Sequence, residues 1–217
     1  MAAAEADALI VVDVQRAVMG GSGAIPNAAN VLAAVERLVR KARDTGSLIV
    51  HVQNDGPAGA ADEPGAPGWA LAIEPLPDEQ VVRKRDDDAF AGTGLETFLR
   101  DRATATVVIC GVQSEMCVAA TARAAMERDL VVILPRDGHG TYPVPADTDG
   151  GVAVPAAQVR PGSPGSRVVA GRRAGDHLEH HPGQLSARPS FSLNGRLAYD
   201  CCDHPAARTP SCSPSGE

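Results

Sequence analysis

The chain has 217 residues, enough for one domain with an appendage and short for two. Hydrophobic residues make up 44% and charged residues 22%, which sets it among globular proteins and apart from charge-rich disordered chains. The formal charge of −7 is uneven: residues 1–158 carry 13 Lys and Arg against 22 Asp and Glu, and residues 159–217 carry 7 against 5. An acidic body without clustered cations excludes nucleic acid as the main partner. No apolar run reaches the ~18 residues of a membrane span, and the start MAAAEADALIVVDVQ lacks the basic residues and apolar stretch of a secretory leader. A soluble cytoplasmic protein with no membrane partner is expected. Five cysteines without framework spacing fit reduced thiols better than a disulfide scaffold.

In chain order, Ala8–Val12 is a short apolar run closed by Asp13, the pattern of a buried parallel strand. A Gly-rich loop follows, and its Gly20–Gly21–Ser22–Gly23 lacks the Gly-Lys-Ser/Thr ending of a phosphate loop. Val31, Val35, Leu38, Val39 and Ala42 then recur at helical spacing, predicting a helix over about 27–45 with Gly46 as its stop. Leu48–Val52 and Gln80–Val82 read as the second and third strands. The loop between them, with Pro57, Pro64, Pro67, Pro75 and Pro77, is long enough to suggest a lid or binding surface. Leu95–Asp101 predicts a short helix, Thr106–Cys110 a fourth strand, Glu115–Asp129 an alanine-rich helix and Val131–Leu134 a fifth strand. Apolar strands alternating with helices predict an α/β fold, an open parallel β-sheet with helices on both faces.

Such sheets bind ligands at the carboxyl ends of their strands. There stand Asp13 after strand one, Lys84 after strand three and Cys117 at the start of the helix after strand four. A thiol at a helix N-terminus, with an ammonium nearby, is expected to have a lowered pKa, and Asp13 would exchange its proton as general acid and base. Each residue also has a plainer reading. Asp13 alone would be a loop-capping carboxylate, Cys117 a small buried hydrophobe like Cys110, and Lys84 part of a solvated charged run from Arg83 to Asp88. Trp69 and Phe90 divide evenly between core and pocket, and His139 either lines the cleft or ends a turn.

Three blocks together resemble the isochorismatase-like cysteine hydrolases: Leu9–Gln15, Lys84–Thr93 with its Ala89–Phe90 pair, and Cys110–Thr121. They occur in the family's order and, with Asp137, span about residues 8–140. The resemblance implies a six-stranded parallel, Rossmann-like sheet, an Asp13–Lys84–Cys117 triad and a cis peptide at Val112–Gln113. It also implies an oxyanion hole from the N–H groups of Gln113 and Cys117, and a pocket to which Gln15, Trp69, Phe90 and His139 contribute. It implies a homo-oligomer that hydrolyses a small amide, ureide or related C–N bond through a thioester, without a cofactor. Cys117 tilts the reading away from the vinyl-ether-cleaving branch, which often lacks a cysteine there. The metal-dependent branch uses an Asp-x-His pair with a further His, whereas His51 is the only histidine before His139 here, so no metal is expected.

Three positions depart from the pattern. Ser114 stands where threonine is common, and Asp129 replaces the usual glycine after the nucleophile helix, where a left-handed residue other than Gly costs ~1 kcal/mol, less for Asp. After about Gln158 the composition changes: residues 159–217 hold seven Pro, seven Gly, eight Ser and seven Arg with no periodicity. The domain is therefore drawn at 1–158 and 159–217 read as a divergent, poorly ordered tail, with out-of-frame translation of a GC-rich gene as the working explanation. Cys201, Cys202, His204 and Cys212 fit structural zinc poorly. The rival to an active hydrolase is an impaired relative that binds a small molecule or partner, and a weaker third reading is vinyl-ether hydrolysis.

Overall fold

The computed structural model describes residues 5–143, 167–169 and 191–192. The expectations for the rest of the tail, its disorder, its reading frame and its cysteines, lie outside the described residues. A parallel sheet forms the centre, in the order β4 (Gln80–Lys84), β3 (Leu48–Asn54), β2 (Ala8–Val12), β5 (Thr106–Val112), β6 (Val131–Leu134) and β8 (Arg167–Val169). β7 (His139–Gly140) adds to the end of β5, and β1 (Glu5–Ala6) pairs antiparallel with β9 (Phe191–Ser192). The resemblance implies six parallel strands, but the sixth, β8, runs antiparallel to β6.

Period-two alternation decides what each face buries. Ala8, Ile10 and Val12 with Val107 and Ile109 pack under α3 (Leu95–Arg100) and α4 (Cys117–Glu127); Leu9 and Val11 with Val108 and Cys110 pack under α2 (Ala28–Thr45). α4 lays Ala119, Ala122 and Ala125 inward, so small side chains bring its axis close to the sheet. α2 is capped by Gly46 in the left-handed conformation (φ 68°), and Asp129, two residues past the end of α4, lies in the same region (φ 60°). The segment after β2, expected as a loop, contains the short helix α1 (Arg16–Met19) and a 3-10 turn at Gly21–Gly23. No helix among the described residues is long and apolar enough to cross a membrane.

The long loop, residues 55–79, is fastened rather than free. Arg16 and Ala17 donate backbone hydrogen bonds to Ala70 and Gly68, and Ala72 donates to Val14. Its far end is anchored by Glu79, which accepts from Arg43 Nε at 2.6 Å and pairs with the buried His51 Nε2 at 2.8 Å. Burial alone would raise the Glu79 carboxyl, but Arg43, the Leu76 N–H and His51 outweigh it and hold Glu79 at about 2. Burial lowers His51, with Glu79 opposing, so the neutral imidazole donates to the carboxylate.

Gly111 decides how β5 passes β2. Its φ is +121°, and a Cβ there would lie 1.9 Å from the Val12 carbonyl oxygen. Only glycine lets the two backbones meet at the strand end beside Asp13.

Two outcomes follow for stability. Gly111→Ala should cost about 3 kcal/mol or more in urea unfolding, because backbone rather than a movable side chain must yield. A carboxylate whose folded pKa is depressed contributes stability above its unfolded value and loses it as pH falls through the folded value. His51 acts in the same direction, since the unfolded imidazole binds its proton first. Glu79→Gln should therefore flatten the loss of stability between pH 4.5 and 2, read from urea midpoints across that range.

Candidate active site

Asp13 follows β2 directly, with a left-handed φ of 52°, and its N–H continues the ladder to the Val52 carbonyl at 2.9 Å. Lys84 is the last residue of β4, two strands away in the sheet. Its side chain crosses the end of β3, where Asn54 is its register partner, and takes Asn54 Oδ1 at 3.4 Å. Lys84 Nζ then reaches Asp13 Oδ2 at 2.8 Å and Cys117 Sγ at 3.3 Å. Lys84 is 3% exposed, so the residue that reads as part of a solvated run is the buried member of it. The three side chains singled out in the sequence thus meet at the carboxyl edge of the sheet.

Cys117 is the first residue of α4, after a turn in which Val112–Gln113 is cis. Ser114, Met116 and Val118 spend their N–H groups on the carbonyls of Gly140, Gln113 and Gln113. Ser114 Oγ lies 2.9 Å from His139 Nδ1, and Thr141 Oγ1 donates to Glu115 Oε1 at 2.8 Å, so β7 and the residue after it brace this turn. One helical turn beyond Cys117, Thr121 Oγ1 accepts from the Ala89 N–H at 3.1 Å and donates to the Asp87 carbonyl at 3.5 Å.

The electrostatics correct one expectation. The sequence predicts that the helix N-terminus and Lys84 lower the thiol pKa, yet burial and the Asp13 charge push Cys117 up to about 12, with Lys84 opposing only in part. Burial also raises Asp13, which Lys84 partly offsets. Burial works against the Lys84 ammonium, but Asp13 and the thiol outweigh it and raise its pKa. These shifts favour the protonated thiol, which stands beside the Lys84–Asp13 ion pair formed by the 2.8 Å contact.

The expected pocket residues divide. Gln15 is 2% exposed and its amide is committed: Nε2 donates to the Asn54 and Trp69 carbonyls at 3.0 and 2.9 Å, and Oε1 accepts from Asn54 N. It anchors Asn54 and the long loop. Trp69 donates from Nε1 to Asp55 at 3.0 Å, and the Arg83 guanidinium lies 5.0 Å over its ring while paired with Asp55. Phe90 is buried in the core beneath Arg128, 4.6 Å from its ring centre. His139 supports Ser114. Asp137, part of the family match, pairs with Arg37 in an exposed ion pair at 2.7 Å. Sequence reasoning missed Asn54, Asp62 and Asp87: Asn54 Nδ2 donates to Asp62 Oδ2 at 2.7 Å, and Cys117 Sγ donates to Asp87 Oδ1 at 3.5 Å. Strand register could have pointed to Asn54 alone, the partner of Lys84; Asp62 and Asp87 lie in loops. Among the described residues, no group of three or more His, Cys, Asp or Glu side chains is arranged to hold a metal ion.

Comparison with known proteins adds the lineage. The family model described as the isochorismatase domain matches residues 7–154, more than half of the chain. The chain belongs to the isochorismatase family. It is 52% identical over 152 residues to a streptothricin hydrolase of Streptomyces noursei, covering 69% of this chain and 55% of that protein. The chain thus spans little more than half the length of that relative. It is 26% identical to a ureidoacrylate amidohydrolase of Variovorax paradoxus, covering 60% of this chain and 67% of that one. Among solved structures, an isochorismatase from Pseudomonas putida superposes with a TM-score of 0.65 at 31% identity, over 70% of this chain and 78% of that one.

Removing the cation tests the pair directly. Lys84→Met leaves Asp13 buried without its counter-ion and should cost about 3–5 kcal/mol at pH 8. The folded pKa of Asp13 then lies further above its unfolded value, so the penalty is absent below the unfolded pKa and grows as pH rises through the folded one. Denaturation midpoints should show a smaller loss near pH 5 than at pH 8, and Asp13→Asn added to Lys84→Met should recover part of it.

Proposed function

We propose that this isochorismatase-family protein is a cysteine-dependent hydrolase that cleaves the C–N bond of a small amide, ureide or related substrate through a thioester on Cys117. The observation that carries the reading is Lys84 Nζ in contact with both the Asp13 carboxylate and the Cys117 sulfur. A buried cation touching a thiol and a carboxylate has little structural advantage over an apolar side chain, but it stabilises a thiolate as one forms.

Because the resting group is a thiol, the proton must leave as the attack proceeds. Asp13, its basicity raised by burial, accepts it while Sγ bonds to the carbonyl carbon. The oxyanion is received by the N–H groups of Gln113 and Cys117, the hole that the family resemblance implies; the neighbouring N–H groups of Ser114, Met116 and Val118 are bonded to carbonyls. Asp13 returns the proton to the leaving nitrogen, the C–N bond breaks and ammonia or an amine departs. Water, deprotonated by Asp13, then attacks the thioester; the C–S bond breaks, Asp13 returns that proton to Cys117 Sγ and the acid is released. Lys84 remains an ammonium throughout.

The named activities of the streptothricin hydrolase and ureidoacrylate amidohydrolase relatives support C–N chemistry, and streptothricin is the first substrate to try. Incubation with streptothricin and a panel of simple amides and ureides should give thiol-dependent turnover and a hydroxylamine-sensitive acyl adduct on Cys117 by mass spectrometry. Cys117→Ser should lower turnover by about 10³-fold or more. Absence of both adduct and turnover in the intact chain would mark it as a non-catalytic relative.

A further inference from the structure

The proposed reaction leaves one contact at the nucleophile unused. Asp87 Oδ1 accepts the Cys117 thiol hydrogen bond at 3.5 Å, and Asp87 is exposed whereas Asp13 is buried. A third carboxylate, Asp62, is joined to the same site through Asn54, and its charge reaches Asp13. These contacts connect three carboxylates to one ammonium, Lys84. Arg83 is turned away to Asp55 and the Trp69 ring. Asp13 is 7% exposed, and its Oδ1 is buried without a hydrogen-bond partner. A buried carboxylate oxygen lacking a donor, inside a surplus of negative charge, calls for a ligand that brings N–H groups and positive charge.

We propose that Asp87 is a specificity-determining residue that pairs with an ammonium or guanidinium group carried by the substrate near its scissile carbonyl, so that the site selects cationic amides. This rests on Cys117 being the nucleophile. The pairing has a second effect. Unpaired, Asp87 accepts the S–H hydrogen bond and repels a thiolate; a cation placed on it cancels that charge when the sulfur must give up its proton. A neutral substrate binds less well and also meets a less reactive thiol.

Charged thiol reagents read this without a known substrate. Aminoethyl methanethiosulfonate (cationic) and sulfonatoethyl methanethiosulfonate (anionic) each react when the thiolate attacks the sulfenyl sulfur, forming a disulfide and releasing methanesulfinate. Rates at Cys117 in the native full chain are followed by peptide mass spectrometry and normalised to free cysteine. The wild type should favour the cationic reagent by about tenfold or more, Asp87→Asn should lose about fivefold of that preference, and Asp87→Glu should keep it. Neutral iodoacetamide should react with Asp87→Asn at least as fast as with the wild type, because removing a carboxylate favours the thiolate; a damaged site would slow all three reagents. An Asp87→Asn protein with the wild-type charge preference, or one slowed toward every reagent, overturns the assignment. A native wild-type Cys117 inert to every reagent overturns the cysteine-hydrolase reading instead.

Discussion

A single buried ammonium organises this molecule. Lys84 Nζ is surrounded by Asp13, Asn54 and Cys117, and an ammonium taken out of water is tolerated only with such partners in place. Asp13 follows β2, Asn54 ends β3 and Cys117 opens α4 after β5, so the cation is satisfied only when β2, β3 and β4 are in register and α4 is seated beside them. A slip of one residue would turn each side chain to the opposite face. The parallel ladder and the close passage at Gly111 are thus part of the electrostatics of the site as much as of the fold.

The same burial that assembles the site also restrains it. Burial and the Asp13 charge raise the thiol pKa, with the Lys84 cation offsetting them only in part, so less of the thiolate stands ready at neutral pH than in an exposed cysteine. Reactivity then has to come from what the substrate and the turn before α4 supply during attack, and not from a standing thiolate. This favours discrimination over speed in the free protein, a balance common where binding energy is realised late along the reaction.

Much of this was readable from residue order. Short β-branched runs gave five strands of the parallel sheet, and Asp13, Lys84 and Cys117 stood where a parallel sheet places its chemistry. What escaped depends on three-dimensional context. Lys84 looked solvated because its neighbours Arg83 and Arg85 are exposed, and strand alternation, which turns it inward, is hard to see in a charged run. Gln15 reads as a pocket residue, yet its amide binds Asn54 and reaches the Trp69 carbonyl, 54 residues from Gln15 in sequence. Asn54, Asp62 and Asp87 belong to loops or strand ends whose side-chain directions no periodicity encodes. The upward direction of the thiol shift escapes the sequence because a helix N-terminus and a nearby lysine can be read there, while the depth at which they lie cannot. The antiparallel β8 arises in a segment whose composition carries no strand signal.

Thr121 ties two parts of the site that the sequence holds far apart. Its hydroxyl grips the backbone at Asp87 and Ala89 from one turn beyond Cys117 on the same helix. The helix that carries the sulfur is therefore hydrogen-bonded to the segment that carries the outer carboxylate, so a displacement of α4 is transmitted to Asp87. A Thr121→Val substitution would cut both ties and leave the nucleophile and the rim carboxylate to be positioned independently.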